Sequence, residues 1–90
     1  MTVYSVKAEF EPALVEFGRV LARASIFFLR ELGGIVDVTG LREGDEEHDY
    51  FLEVPAEQLD AVRPRVAELL HSVQEQFGVE ISVATRAAPA

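Results

Sequence analysis

The stretch that decides the fold is residues 12–33, PALVEFGRVLARASIFFLRELG, which has the apolar spacing of one long helix. At about 100° per residue, apolar residues at steps of three and four gather on one side of such a helix. Proline suits the first turn of a helix and Gly33-Gly34 suits its end, so we expect the helix to run between them. The predicted core face consists of Leu14, Phe17, Leu21, Ala24, Phe28 and Leu32.

Further apolar residues lie outside this predicted core face. Val20 and Phe27 are seven residues apart and form a second ridge, and Ile26 falls on the opposite side of the helix. Exposed apolar side chains that the core does not cover often mark a contact with another chain. We therefore expect Val20, Ile26 and Phe27 to lie at an interface between copies of this chain, together with Val3 and Phe51 on the outer face of the predicted sheet.

The same helix carries a line of three arginines, Arg19, Arg23 and Arg30. Residues 12–32 hold these three bases and two glutamates, a net charge of +1. The rest of the chain has a net charge of −9, so the whole chain carries −8. A line of guanidinium groups can bind a small anionic ligand, such as a phosphate or carboxylate, or an acidic partner protein. The alternative is a solvated face on which the arginine stems cover apolar surface.

Around this helix, the sequence predicts four strands and a second helix. This order, β-α-β-β-α-β, is most economically arranged as a ferredoxin-like α+β domain, with a four-stranded antiparallel sheet of order 4-1-3-2 and both helices on one face. Residues 1–86 would form this single domain, and residues 87–90 would be a flexible C-terminal tail. The strands are predicted from alternation at 2–10, 35–42, 48–54 and 79–86, and the second helix, with a kink at Pro64, at 55–77.

The predicted element order and the length of the chain resemble the small regulatory domains of the ACT and RAM types, which bind amino acids at dimer interfaces. Residues 38–40 with 49–52 also resemble a RAM hairpin. Residues 10–13 lack the glycine that ACT-type domains have after the first strand. The resemblance implies a ligand-sensing homo-oligomer, but it assigns no functional residue, because one fold can host many functions.

Composition narrows the class of protein. The net charge of −8 on 90 residues disfavours binding to nucleic acid or to an anionic membrane. No apolar run is long enough to span a membrane and no signal-peptide pattern is present, so we expect a cytoplasmic protein. Without cysteine the chain has neither disulfides nor thiolate metal sites. The chain has one lysine and no asparagine, a bias that we interpret either as a thermophile that avoids thermolabile side chains or as a GC-rich genome.

Few residues are candidates for metal binding or catalysis. The predicted turn at 43–49 collects five carboxylates and His48, but its spacing matches no calcium loop, so we expect a solvated turn with no metal or cofactor. The leading hypothesis is a non-enzymatic homo-oligomeric domain, either a small-ligand-sensing regulatory module or an adaptor. The alternative is a small dimeric α+β enzyme with an acid/base site between helices and sheet, formed by His48, Tyr50 or Tyr4.

Overall fold

The structure, a computed structural model, describes the backbone of residues 2–89 and the side chains of residues 15–89. Within residues 2–89 it contains two helices and three strands, with short 3₁₀ turns before β1 and before α2. In chain order these elements are α1 (Thr2–Leu32), a 3₁₀ turn (Val38–Gly40), β1 (Leu41–Glu43), β2 (Tyr50–Val54), a 3₁₀ turn (Ala56–Gln58), α2 (Leu59–Phe77) and β3 (Val83–Ala87).

The first segment of the chain is helical. The predicted strand at residues 2–10 is wrong, because α1 begins at Thr2 and continues through Pro12 as a single 31-residue helix. Val6 and Phe10 show why the pattern misled: residues four apart share a face in a strand and also in a helix. Although α1 is long, no helix within residues 2–89 is apolar enough over a sufficient length to cross a membrane.

The sheet also differs from the prediction. The expected ferredoxin-like arrangement, four antiparallel strands in the order 4-1-3-2, is replaced by a three-stranded mixed sheet in the order β1-β2-β3. Leu52 on β2 lies opposite Leu41 on antiparallel β1 and opposite Thr85 on parallel β3. Since residues 2–10 form no strand, β3 takes the place beside β2 after the α2 crossover. The α+β class holds, but the resemblance to ACT and RAM domains depended on the discarded topology.

Both helices pack on the same face of this sheet. The Phe28 ring of α1 stacks on Tyr50 of β2 with a centroid separation of 6.1 Å, and Phe27 meets Phe77 of α2 at 5.5 Å. The predicted inward phase of β2 is confirmed, since Leu52 and Val54 are buried. The buried core consists of Ala24, Phe28, Leu32, Leu52, Val54, Val62, Val66, Leu69, Val73, Val79 and Ile81.

The second helix agrees closely with its prediction. α2 passes through Pro64 without interruption, and its buried residues recur at steps of three and four. It ends at Gly78, whose φ of 66° lies in the left-handed region where glycine carries no steric penalty. α2 and the sheet therefore pack on the C-terminal part of α1, and we call residues 33–89 the body of the domain.

Candidate association surface

One face of α1 is core in its C-terminal part and open to solvent nearer the N-terminus. Ala24, Phe28 and Leu32 are fully buried, whereas Leu21 is 39% exposed and Phe17 is 59% exposed. These five residues share one face of the helix, because they recur at steps of three and four. We call the exposed pair, Phe17 and Leu21, the open seam.

The difference in helix length explains why the open seam is uncovered. α1 has 31 residues and α2 has 19, so at 1.5 Å per residue α1 is about 18 Å longer than the helix that packs on it. The molecule is accordingly elongated, with principal extents of 57, 25 and 17 Å. The prediction that Phe17 and Leu21 are core residues is wrong, because the body does not extend far enough to bury them, although helical periodicity indicates correctly the direction in which they face.

The open seam forms one wall of a groove of about 420 Å³. The opposite wall comes from Tyr50 at the start of β2 and from the segment between α2 and β3, where Val79 and Ile81 are mostly buried. Asp49 and Glu80 also line the groove and add two carboxylates. An apolar centre with polar groups at its edge is the usual composition of a protein interface.

The residues predicted for an interface occupy several different places. On α1, Val20 is half-buried against the core, and Phe27 has a partner within the chain, Phe77. Ile26 is 59% exposed and lies on the side of α1 opposite the open seam. Val3 lies outside the side chains that the structure describes.

The fifth of these residues, Phe51, lies on the outer face of the sheet among charged side chains. The Arg86 guanidinium carbon sits 4.3 Å from the centre of the Phe51 ring. Arg86 Nη2 also pairs with Glu53 Oε2 at 3.1 Å, and Arg42 Nε pairs with Glu53 Oε1 at 3.3 Å. Because these contacts satisfy Glu53 and cover Phe51, the outer face offers less free apolar surface than the open seam.

The three predicted anion-binding arginines are exposed along one side of α1. Arg19 and Arg23 are one turn apart, and Arg30 lies about 10 Å further along the helix axis. Among the side chains of residues 15–89, none of the three takes part in a salt bridge. The line faces away from the open seam, so the two features are separate surfaces of the same helix.

The structure does not bring His48 and Tyr50 together as an acid/base site. His48 Nδ1 lies 3.3 Å from Asp45 Oδ1, and its ring meets Phe51 on the outer face of the sheet at 5.4 Å. The ring of Tyr50 stacks on Phe28 on the inner face. Tyr4, the third residue of that hypothesis, lies outside the described side chains.

The acidic turn is held by its own hydrogen bonds. Asp45 Oδ1 accepts the backbone N–H of His48 at 2.8 Å and that of Glu47 at 2.9 Å, and these two bonds lower the pKa of the Asp45 carboxyl. Ser82 donates its N–H to Asp49 Oδ2 at 2.8 Å and its hydroxyl to the Glu47 carbonyl at 3.2 Å. This anchor is not visible in the sequence pattern, because Ser82 lies 33 residues beyond Asp49.

No cluster of ligands for a metal ion is found in the described part of the chain. Within residues 15–89, no three histidine, aspartate or glutamate side chains come close enough to hold a cation together. The carboxylates of Asp45 and Asp49 instead bind backbone N–H groups, which fixes the shape of the turn.

Comparison with known proteins does not assign the chain to a family. No protein-family model matches the sequence. Neither the curated proteins nor the solved structures gave a match. The geometry of the open seam, the groove beside it and the arginine line is therefore the basis on which a function is inferred.

Proposed function

We propose that this chain is a non-enzymatic, homo-oligomeric association domain, which works as a small-ligand-sensing regulatory module or as an adaptor. The observation that supports it is the open seam, where Phe17 is 59% exposed on the same helix face that forms the core further along. Since a phenylalanine side chain has about 200 Å² of surface, the exposed part of Phe17 is about 120 Å². Because complete burial of a phenylalanine side chain contributes about 3 kcal/mol, burying this exposed fraction contributes about 2 kcal/mol per chain.

The distribution of charge favours association through α1. Residues 1–32 contain four basic and four acidic residues, a net charge of zero, whereas residues 33–90 contain four basic and twelve acidic residues, a net charge of −8. Two neutral helices can approach each other without electrostatic cost, while two acidic bodies repel each other. Self-association is therefore easiest along the N-terminal part of α1.

The arginine line gives this domain a second, separate contact. Arg19, Arg23 and Arg30 lie on the opposite side of α1 and stay open to solvent when the open seam is covered. A phosphate or carboxylate ligand, or an acidic segment of a partner protein, fits such a line because guanidinium groups bind these anions with paired hydrogen bonds. In this proposal the open seam joins copies of the chain and the arginine line receives the anionic ligand or partner.

The proposal is tested by sedimentation equilibrium on the wild-type chain, Phe17→Glu and Ile26→Glu. The two variants are matched, because both side chains are 59% exposed on α1 and they lie on opposite sides of it. We expect a wild-type dimer at micromolar concentration, a monomeric Phe17→Glu variant and a dimeric Ile26→Glu variant. A monomeric wild type contradicts self-association, and dissociation by Ile26→Glu alone places the interface on the arginine side of α1.

A further inference from the structure

We propose that the open seam of one chain is covered by α1 of a second copy, and that the two helices run antiparallel. This inference rests on the proposed self-association, and it adds which segment of the second copy makes the contact and how the two helices are oriented. In this arrangement the N-terminal part of each α1 lies along Phe17 and Leu21 of the other chain, and the groove beside Tyr50 receives the end of the partner helix.

The position of the body leaves no room for a parallel pair in register. Phe17 and Leu21 share a face with Ala24 and Phe28, and the body occupies the space in front of that face from Ala24 onward. In a parallel pair in register, the C-terminal part of the second helix would need the space that Tyr50 and α2 already fill. In an antiparallel pair the second helix meets the body only with its N-terminal end, so no such overlap arises.

The spacing of the sequence suits an antiparallel pair with two-fold symmetry. Toward the N-terminus, Leu14 and Phe10 continue the steps of three and four that set the open seam, which is the pattern of a helix–helix interface. A two-fold axis beside residue 12 places position 10 opposite position 14, position 7 opposite position 17, and position 3 opposite position 21. The pairs 10/14 and 3/21 are apolar on both sides, whereas the pair 7/17 sets Lys7 opposite Phe17. The seam is therefore apolar against itself at two of these three pairs, and a symmetric dimer presents each pair twice.

The overlap spans about two thirds of α1. Residues 2–22 of each chain would take part, a helical length of about 30 Å. The groove lined by Tyr50, Val79 and Ile81 adds further apolar contact at each end of the overlap.

Charge gives an independent reason for the antiparallel orientation. The whole net charge of −8 resides in residues 33–90, so a parallel pair would hold two strongly acidic bodies side by side. Around an axis beside residue 12, the two copies of position 28 are about 48 Å apart along the helices. That distance greatly exceeds the Debye length of about 8 Å at physiological ionic strength, so the repulsion between the bodies is screened.

The orientation is tested by electron spin resonance distances between two labels in the dimer. The chain has no cysteine, so Ile26→Cys and Arg19→Cys each introduce a single labelling site, and both sites are exposed on the side opposite the open seam. For the antiparallel pair we expect label separations along the helix axis of about 42 Å at position 26 and about 21 Å at position 19. For a parallel pair the two positions give the same, shorter distance.

The outcomes separate this inference from the proposed function. A dimeric mass with equal distances at positions 19 and 26 overturns the antiparallel orientation and leaves self-association standing. A monomeric mass without dipolar coupling overturns both. A dimer that keeps its mass in the Phe17→Glu variant overturns the role of the open seam, whatever its orientation.

Discussion

Two phenylalanines on one face of α1 should respond very differently to replacement by alanine. Phe28 is fully buried and stacks on Tyr50 at 6.1 Å, so Phe28→Ala should lower the free energy of unfolding by about 3 to 5 kcal/mol, the usual cost of such a core cavity. Phe17 is 59% exposed, so only 41% of its surface is covered within the chain. At about 3 kcal/mol for complete burial, Phe17→Ala should cost about 1 kcal/mol in the isolated chain.

Urea unfolding followed by circular dichroism distinguishes these effects when it is repeated over a range of protein concentrations. Phe28→Ala should show the same loss at every concentration, because its contacts lie within one chain. The loss from Phe17→Ala should grow with concentration, because self-association stabilises the wild type by mass action. If Phe17→Ala costs as much as Phe28→Ala at the lowest concentration, Phe17 is covered within the chain and the open seam is not free apolar surface.

Three further predictions concern the turn and the outer face of the sheet. Gly44→Ala should destabilise the fold in urea, because a Cβ there would collide with the His48 carbonyl oxygen. Gly18→Ala, where an added Cβ would meet nothing within 4 Å, should instead stabilise α1 by about 0.5 to 1 kcal/mol. The reverse order of stabilities would contradict the turn geometry. Glu53→Gln should weaken the fold more than Glu57→Gln, since Glu53 pairs with two arginines, and equal midpoints would show that those ion pairs contribute nothing. Hydrogen bonds lower the pKa of Asp45 in the folded chain below its value in the unfolded chain, so the stability from this carboxylate is complete above the unfolded pKa and is lost as the pH falls through the native pKa. Asp45→Asn should remove that part of the pH dependence of unfolding. An unchanged acid-unfolding profile in this variant would contradict the role of Asp45.

Much of the second half of the fold could be predicted from the sequence, because clear signals mark its boundaries. α2 keeps one apolar stripe across Pro64 and ends at Gly78 in the left-handed conformation. The alternation in β2 correctly placed Leu52 toward the helices. Such patterns are reliable where a period persists over several turns and where glycine or proline marks its end.

The first ten residues could not be assigned with the same success. A short segment with apolar residues four apart satisfies both the period of a strand and that of a helix, and Val6 and Phe10 provide such a pair. The error then spread to the sheet, because the expected order depended on a strand from this segment. When that strand is absent, the place beside β2 is open to β3, and the sheet becomes partly parallel.

The sequence predicts which side of α1 the open seam faces, but it does not predict how much of that side the body leaves exposed. Helical phase alone places Arg19 and Ile26 on one side of α1 and Phe17 on the other. Whether Phe17 is core or surface depends on how far the body reaches along α1, and that is a property of the whole packing. The link between Ser82 and the acidic turn was hidden for a related reason, since it joins residues 33 positions apart.

Whether the open seam joins two copies of this chain is decided by the molar mass of the wild-type chain in solution, measured over a range of concentrations. We expect a mass that rises to twice that of one chain at micromolar concentration, and a mass of a single chain at the same concentration once Phe17 is replaced by glutamate. A wild-type mass of one chain throughout that range would contradict self-association through the open seam.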